Sequence, residues 1–402
     1  MINQLYDIFP SKPFGRGTVD ATITSDPNTR TNFTGTIGSY TPYLNTAILN
    51  NGDLCLLHQT YGVSSLSEDN WEPNYVVSGG GTNSPTLFSP LGRTYVAGAQ
   101  VIKVPEYNNL TISSGFGGKS YGATVATNTK NAMGGINAIA VAGTLNLNAV
   151  IHQNGYQGYI SSDDRGGMDE WQNYKWWYDN APSGGHPGGV NSTDGSNAGV
   201  GGNSLIGYDS TETQAPKGNG GGGGTVGDRC GGGGGNALYG ANSSESGGGY
   251  GGLLAGVDTL SSCHLGGGGG GPHRWNGGGG AGIWTGSSGG GIWYIWAKNI
   301  ITGVSGGIQS NGGTAFANND HGGGSGAGGS ILINCQIADI GVDKISAIGG
   351  TNYAHSGKGS LGRVRINYGS TLSGSVNSSL ASVSTFLNER LKTQASMIQI
   401  IG

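Results

Sequence analysis

Up to about residue 112, apolar residues fall in short runs rather than at helical spacing. Leu44 to Tyr61 and Tyr95 to Ile112 carry such runs, interrupted by the turn-forming clusters Asn50-Asn51-Gly52-Asp53 and Tyr107-Asn108-Asn109. The pattern predicts a small β core. From Gly115 glycine takes over, most densely between Gly218 and Gly291. There the runs Gly220–Gly224, Gly231–Gly235, Gly266–Gly271 and Gly277–Gly280 alternate with unrelated inserts such as TVGDRC, NALYGANSSES and PHRWN. Strand-like order returns afterwards. Gly291–Thr314 aligns without gaps on Gly328–Thr351, an offset of 37 residues that sets Ile300 over Ile337 and Ile308 over Ile345. A weaker copy, AGTLNLNAVIHQNG, precedes Tyr156, and GRVRINYGS follows Leu361 as a last strand-like piece. Repeats at this period predict stacked units. At the end, Leu380, Val383, Phe386, Leu387 and Leu391 share one helical face, so a short amphipathic helix is expected there.

Composition sharpens this picture. The chain holds 85 glycines in 402 residues, with 10% charged residues and a net charge of −4. Disordered solvating chains are charge-rich and aromatic-poor. This one carries eight Trp and 18 Tyr, enough large side chains to bury substantial area. The expected division is an N-terminal β domain for attachment (1–114), a glycine-rich scaffold with aromatic insert loops (115–370) and a C-terminal segment (371–402). Cys55, Cys230, Cys263 and Cys335 are far apart, form no CxxC pair and give no zinc pattern. A Cys230–Cys263 disulfide and unpaired buried thiols both remain open. No basic stripe points to nucleic acid. No apolar stretch has membrane-spanning length, so no membrane insertion is expected. MINQLYDIFPSKPFGRG lacks the basic and apolar regions of a secretory signal, which predicts a product released from its host by lysis.

Consecutive glycines lose the most backbone entropy on ordering, so a compensating hydrogen-bond network is needed. Polyglycine can take the left-handed, three-residue helix of polyproline, which has no internal bonds and leaves every N–H and C=O pointing sideways. The expected fold class is therefore all-β with a glycine-rich scaffold. A small N-terminal β domain is followed by packed polyglycine II helices and stacked β-solenoid-like repeats, then the short C-terminal helix.

Glycine runs alternating with short unrelated inserts, behind a more conventional β domain, resemble the distal tail-fibre adhesins of T-even-type bacteriophages. The resemblance covers Gly218 to Gly291 well and Gly115 to Lys217 loosely. It implies a virion component whose N-terminal domain docks on other phage tail proteins and whose insert loops bind a bacterial surface receptor, a polysaccharide or an outer-surface protein. The more strand-like repeat after Gly291 and the C-terminal helix depart from that family. They leave room for a purely structural fibre, spike or baseplate protein.

Loop aromatics are the candidate receptor contacts. Trp171, Trp176, Trp177 and Tyr178 stand beside Asp163, Asp164, Asp169, Glu170 and Asp179, a combination that stacks sugar rings and accepts their hydroxyls. The alternative is a local mini-core over glycine. His273, Arg274 and Trp275 sit between two glycine runs, where a loop must protrude and can offer donors and a stacking face. Tyr239 and Tyr250 are lesser candidates of the same kind, while Trp284, Trp293 and Trp296 lie in strand-like context and are expected to pack. A pair of carboxylates in these loops would suffice for a polysaccharide-degrading spike, the third reading. No catalytic residue, metal site or cofactor is otherwise predicted. SSGFGGKS has Ser113 where a phosphate loop needs glycine, and the seven histidines are expected in turns or on the surface. Homo-oligomerisation is left open.

Overall fold

The computed structural model describes residues 12–62, 69–119, 133–157, 216, 218–224, 229–272, 285–315, 317–318, 321–352, 355–377 and 380–384. No helix occurs among them. The first strand is β1 (Ala21–Ile23). Six strands follow: β2 (Thr29–Gly35), β3 (Tyr43–Leu44), β4 (Leu54–Gln59), β5 (Trp71–Ser78), β6 (Thr86–Leu87) and β7 (Tyr95–Val104). These six form one antiparallel sheet in the order β3-β2-β7-β4-β5-β6. The predicted turn before β4 is present, with Asp53 N–H donating to Asn50 O at 3.1 Å and Gly52 at φ +87°.

The next strands are β8 (Glu106–Tyr107), β9 (Leu110–Ile112), β10 (Phe116–Gly117), β11 (Ile136–Leu147), β12 (Val150–His152), β13 (Ile292–Thr302) and β14 (Gly307–Gln309). A two-stranded pair, β15 (Ala317–Asn318) and β16 (His321–Gly322), precedes β17 (Ser330–Ser346), β18 (Arg363–Asn377) and β19 (Leu380–Ser384). Apart from β15 and β16 these strands join β1 in a second sheet of 11 strands, parallel throughout. Residues before 115 thus contribute to both sheets.

Each sheet curls around its own core, and a third core lies between them. In β13 the sequence IWYIWA is apolar at every position because both faces are covered, as parallel strands require. Trp293, Ile295 and Ala297 enter the concave core of the parallel sheet with Ile139, Ile331 and Ile333. Ile292, Tyr294 and Trp296 face the other way and meet Leu54, Leu56, Trp71 and Ile102 of the antiparallel sheet. The opposite face of β4, Cys55 and Leu57, closes the antiparallel core with Phe33, Tyr95 and Val101.

The expected fold class is corrected in three places. Neither packed polyglycine helices nor stacked solenoid coils make the architecture; two curled sheets do, a parallel half-barrel and an antiparallel one. The repeated segments are neighbouring strands of a single open sheet. β17 and β18 run on for 17 and 15 residues, with bulges between Cys335 and Ile345, instead of breaking into short rungs.

The register is the second correction. Ile308 pairs with Ile345 as aligned, but Ile300 pairs with Ala338. A one-residue slip exchanges faces. Ile300 and Ala338 are buried, whereas Ile337 is exposed. The weaker copy does become a strand of the same sheet, with Leu145 against Ile300 and Ile151 two strands from Ile345.

The third correction is the C-terminal helix. Leu380 to Ser384 is strand β19, paired in parallel with Arg363 to Asn367. An open sheet edge offers those peptide groups a ready ladder, and LASVS fits a period of two as well as a helical one. Phe386, Leu387 and Leu391 lie outside the described residues.

Candidate binding surface

The described glycine segments run into the strands: residues 285–291 lead into β13, residues 323–329 into β17 and residues 355–362 into β18. Each segment bonds to several neighbours rather than to one. Gly232 donates to Gly222 O at 2.8 Å, Gly233 to Ala241 O at 2.9 Å and Gly234 to Ser325 O at 2.8 Å. Consecutive residues therefore look to different partners. The close spacing excludes side chains: a methyl group on Gly234 would overlap the Gly267 carbonyl, and one on Gly251 the Gly240 carbonyl.

At the margin of this layer, residues 236–243 and 249–255 run side by side in opposite directions. Gly240 N–H donates to Gly252 O (2.9 Å), Ser243 N–H to Gly249 O (2.9 Å) and Ala255 N–H to Asn236 O (2.8 Å). This pairing sets Leu238 and Tyr239 alongside Leu253 and Leu254, with Tyr250 further along the same segment. Tyr239 is 68% exposed and Tyr250 48%, and the three leucines are exposed as well. Five large apolar side chains thus stand out from a backing that has none of its own. Exposed apolar groups gathered on adjoining segments are a mark of interaction sites. The connecting turn is anchored: Ser243 Oγ donates to His355 O at 2.9 Å, and Glu245 Oε2 accepts from Cys230 N–H at 3.0 Å.

Of the residues predicted from sequence, Tyr239 and Tyr250 are exposed on two adjoining segments. Trp171, Trp176, Trp177, Tyr178, His273, Arg274, Trp275 and Trp284 lie outside the described residues. Trp293 and Trp296 are buried packing residues, as their context implied. Sequence reasoning passed over Leu238, Leu253 and Leu254. The available signal was their position beside the tyrosines, in NALYG and GYGGLLAG, between glycines that cannot cover them.

No disulfide joins Cys230 and Cys263; all four cysteines are buried thiols. Burial pushes the Cys263 thiol up to about 12, so it is no nucleophile at neutral pH. Two histidines also depart from the expected turn or surface positions. His58 and His264 are buried with Asn70, Ser262 and Cys263 between the antiparallel sheet and the glycine layer. Ser262 Oγ lies 2.7 Å from His264 Nε2, and Asn70 Nδ2 lies 3.1 Å from His264 Nδ1. That spacing imitates a nucleophile, base and orienting amide, but the protons run the wrong way. Asn70 Oδ1 accepts from Cys263 N–H at 2.9 Å, so its amide group donates to Nδ1 and leaves the proton on Nε2. His264 then donates to Ser262 and cannot take its proton. With His58 Nε2 at 3.0 Å from Cys263 O, the cluster is a buried strut between the two regions.

Among the described residues no group of three His, Cys, Asp or Glu is placed to hold a metal, and no helix is long and apolar enough to cross a membrane. The chain matches no family model, no curated protein and no solved structure.

Proposed function

We infer that this chain is a phage virion adhesin, exposed outside the cell, that binds a bacterial surface receptor during host attachment. The observation carrying this reading is the cluster of Leu238, Tyr239, Tyr250, Leu253 and Leu254, exposed on a layer of glycine backbone. A backing fixed by backbone bonds lowers the entropy lost when its aromatic groups bind. Display on several fibres then multiplies a weak contact. The alternation of glycine runs with unrelated inserts supports the same reading, because such inserts can change without disturbing their mount.

Binding of labelled, purified protein to a panel of bacterial strains is the test. Strain-selective binding by the parent chain, lost in a folded Tyr239→Ala/Tyr250→Ala variant, is the expected result. Equal binding by parent and variant on every strain would remove this surface from the reading.

A second reading, a structural component of a fibre, spike or baseplate, draws on the antiparallel sheet. Ile37, Tyr40, Tyr43 and Phe88 are exposed there, and Leu87 N–H donating to Tyr40 O at 2.8 Å holds two of their segments together. These exposed apolar groups suit docking on another tail protein. Failure to bind any strain, together with co-assembly with tail proteins, would favour it.

A further inference from the structure

On the convex face of the half-barrel, Trp296, Asn334 and Asn367 occupy one row across β13, β17 and β18. Arg365 stands two residues before Asn367 on the same face. Side chains paired in this way have Cβ atoms about 5 Å apart. The direction of every proton in the row is fixed from one end. Arg365 can only donate, and its Nε–H meets Asn367 Oδ1 at 2.9 Å. The Asn367 amide group must therefore donate onward, to Asn334 Oδ1 at 2.8 Å. The Asn334 amide nitrogen is left pointing away with no acceptor among the described residues, although Asn334 is only 2% exposed. Its row neighbour repeats the fault: Trp296 is 1% exposed and its Nε1–H has no acceptor among the described residues either. Folded proteins seldom leave such donors unmet, because each retains its full desolvation cost.

Two arginines, Arg363 and Arg365, and one carboxylate, Asp258, stand beside these donors. Among the described residues Arg365 has no bond at Nη1 or Nη2, while neighbouring Arg363 is already engaged with Asp258 (3.2 Å) and Asn236 (3.2 Å). Asp258 is mostly exposed; it bonds Arg363, and its charge also reaches Arg365. The bordering loop is held under strain: Leu260 keeps a φ of +55°, and its carbonyl accepts from Trp71 Nε1 at 2.8 Å. Trp71 in turn packs 6.4 Å from Trp296. The row thus offers an indole N–H, an amide NH2 and an arginine, with both amide oxygens already used.

We propose that the row Trp296–Asn334–Asn367–Arg365 is a binding site for a small carboxylate, either free or borne by an acidic sugar. A carboxylate brings only acceptors, and the guanidinium supplies the opposing charge. A neutral amide would bring donors that have no partner here.

The test is thermal denaturation and tryptophan fluorescence of the full chain titrated with sodium acetate, galacturonate and galactose at constant ionic strength. The expected result is a saturable rise in Tm and a change in indole emission with a carboxylate but not with galactose. Stronger response to galacturonate than to acetate assigns the acidic sugar; the reverse assigns the free carboxylate. Arg365→Gln should weaken the response by at least about tenfold. Asn334→Asp supplies the missing acceptor from within, so it should raise Tm without ligand and abolish the ligand response. A lower Tm in Asn334→Asp with the ligand response intact overturns the proposal. So does the absence of any response to either carboxylate, which would assign the acceptor to an ordered water.

Discussion

The parallel half-barrel and the glycine layer both bury their backbone, and they do so by opposite means. In the half-barrel, peptide groups pair along ladders and the space between sheets is filled by side chains such as Trp293, Ile295 and Ile333. In the layer the peptide groups themselves fill most of the space, bonding sideways to different segments, and a side chain on glycines such as Gly234 or Gly251 would be in the way. The first arrangement tolerates changes of shape in exchange for a cavity or a shift. The second tolerates additions only at its margins, which is where Leu238, Tyr239, Tyr250, Leu253 and Leu254 stand. Under the proposed function, variety in binding and constancy of structure would fall to different residues.

The largest effect that separates the regions is an added methyl group. Gly234→Ala meets the Gly267 carbonyl, backbone against backbone, and should cost more than about 4 kcal/mol or abolish folding in denaturant titrations. Gly81→Ala has nothing within 4 Å and only its φ of +79° to oppose it, so about 1 kcal/mol is expected. Equal costs at the two glycines would undo the contrast. Next in size is a deletion on the other side. Ile295→Ala leaves a cavity in the half-barrel core and should cost about 2–5 kcal/mol in the same titration.

A smaller effect tests the antiparallel sheet against both. Glu72 is buried on β5, accepting from Gly92 N–H and from Tyr95 Oη–H at 3.1 Å, and burial raises its carboxyl above the ordinary value of 4.5. The folded state therefore holds this proton more tightly than the unfolded chain does. Its stabilisation is complete below the unfolded value and falls away as pH rises through the folded one. Glu72→Gln keeps both acceptor contacts without the charge. It should gain a few degrees in Tm at pH 7 and lose that part of the pH dependence between acid and neutral. A Tm–pH curve parallel to the parent's would refute the assignment. The smallest effect on stability is expected at the surface itself. Tyr239→Ala/Tyr250→Ala should shift unfolding by less than about 0.5 kcal/mol per site while removing receptor binding.

The sequence was most legible where local chemistry decides the structure. Asn50 to Asp53 marked a turn because few residues tolerate the φ of Gly52, and the short apolar runs around it became β4 and β7. The aligned repeats fall on neighbouring strands of one open sheet, not on the stacked units expected from them. They misplaced Ile300 because seven positions separate Ile301 from Ile308 while six separate their partners Asp339 and Ile345, a one-residue difference that leaves no mark in composition. β19 was hidden for a different reason: its helical spacing is local, while the open edge of β18 that captures it is not. In the binding surface, aromatic type made Tyr239 and Tyr250 visible. The leucines beside them stayed hidden, because a leucine is usually inside, and only the bareness of the glycine backing places these outside. The polar strut of His58, Asn70 and His264 assembles residues almost two hundred positions apart, beyond any motif.

A layer that buries peptide groups in place of methyl groups should also leave its signature in calorimetry. Exposing apolar surface raises the heat capacity of the unfolded chain, whereas exposing amide surface lowers it. Unfolding of the glycine layer releases almost entirely the second kind, so it subtracts from the heat-capacity increment contributed by the half-barrel. Per residue, the increment for the whole chain then falls below that of ordinary domains. A smaller increment flattens the curve of stability against temperature. At equal maximal stability, such a curve reaches zero further from its maximum on both the cold and the hot side.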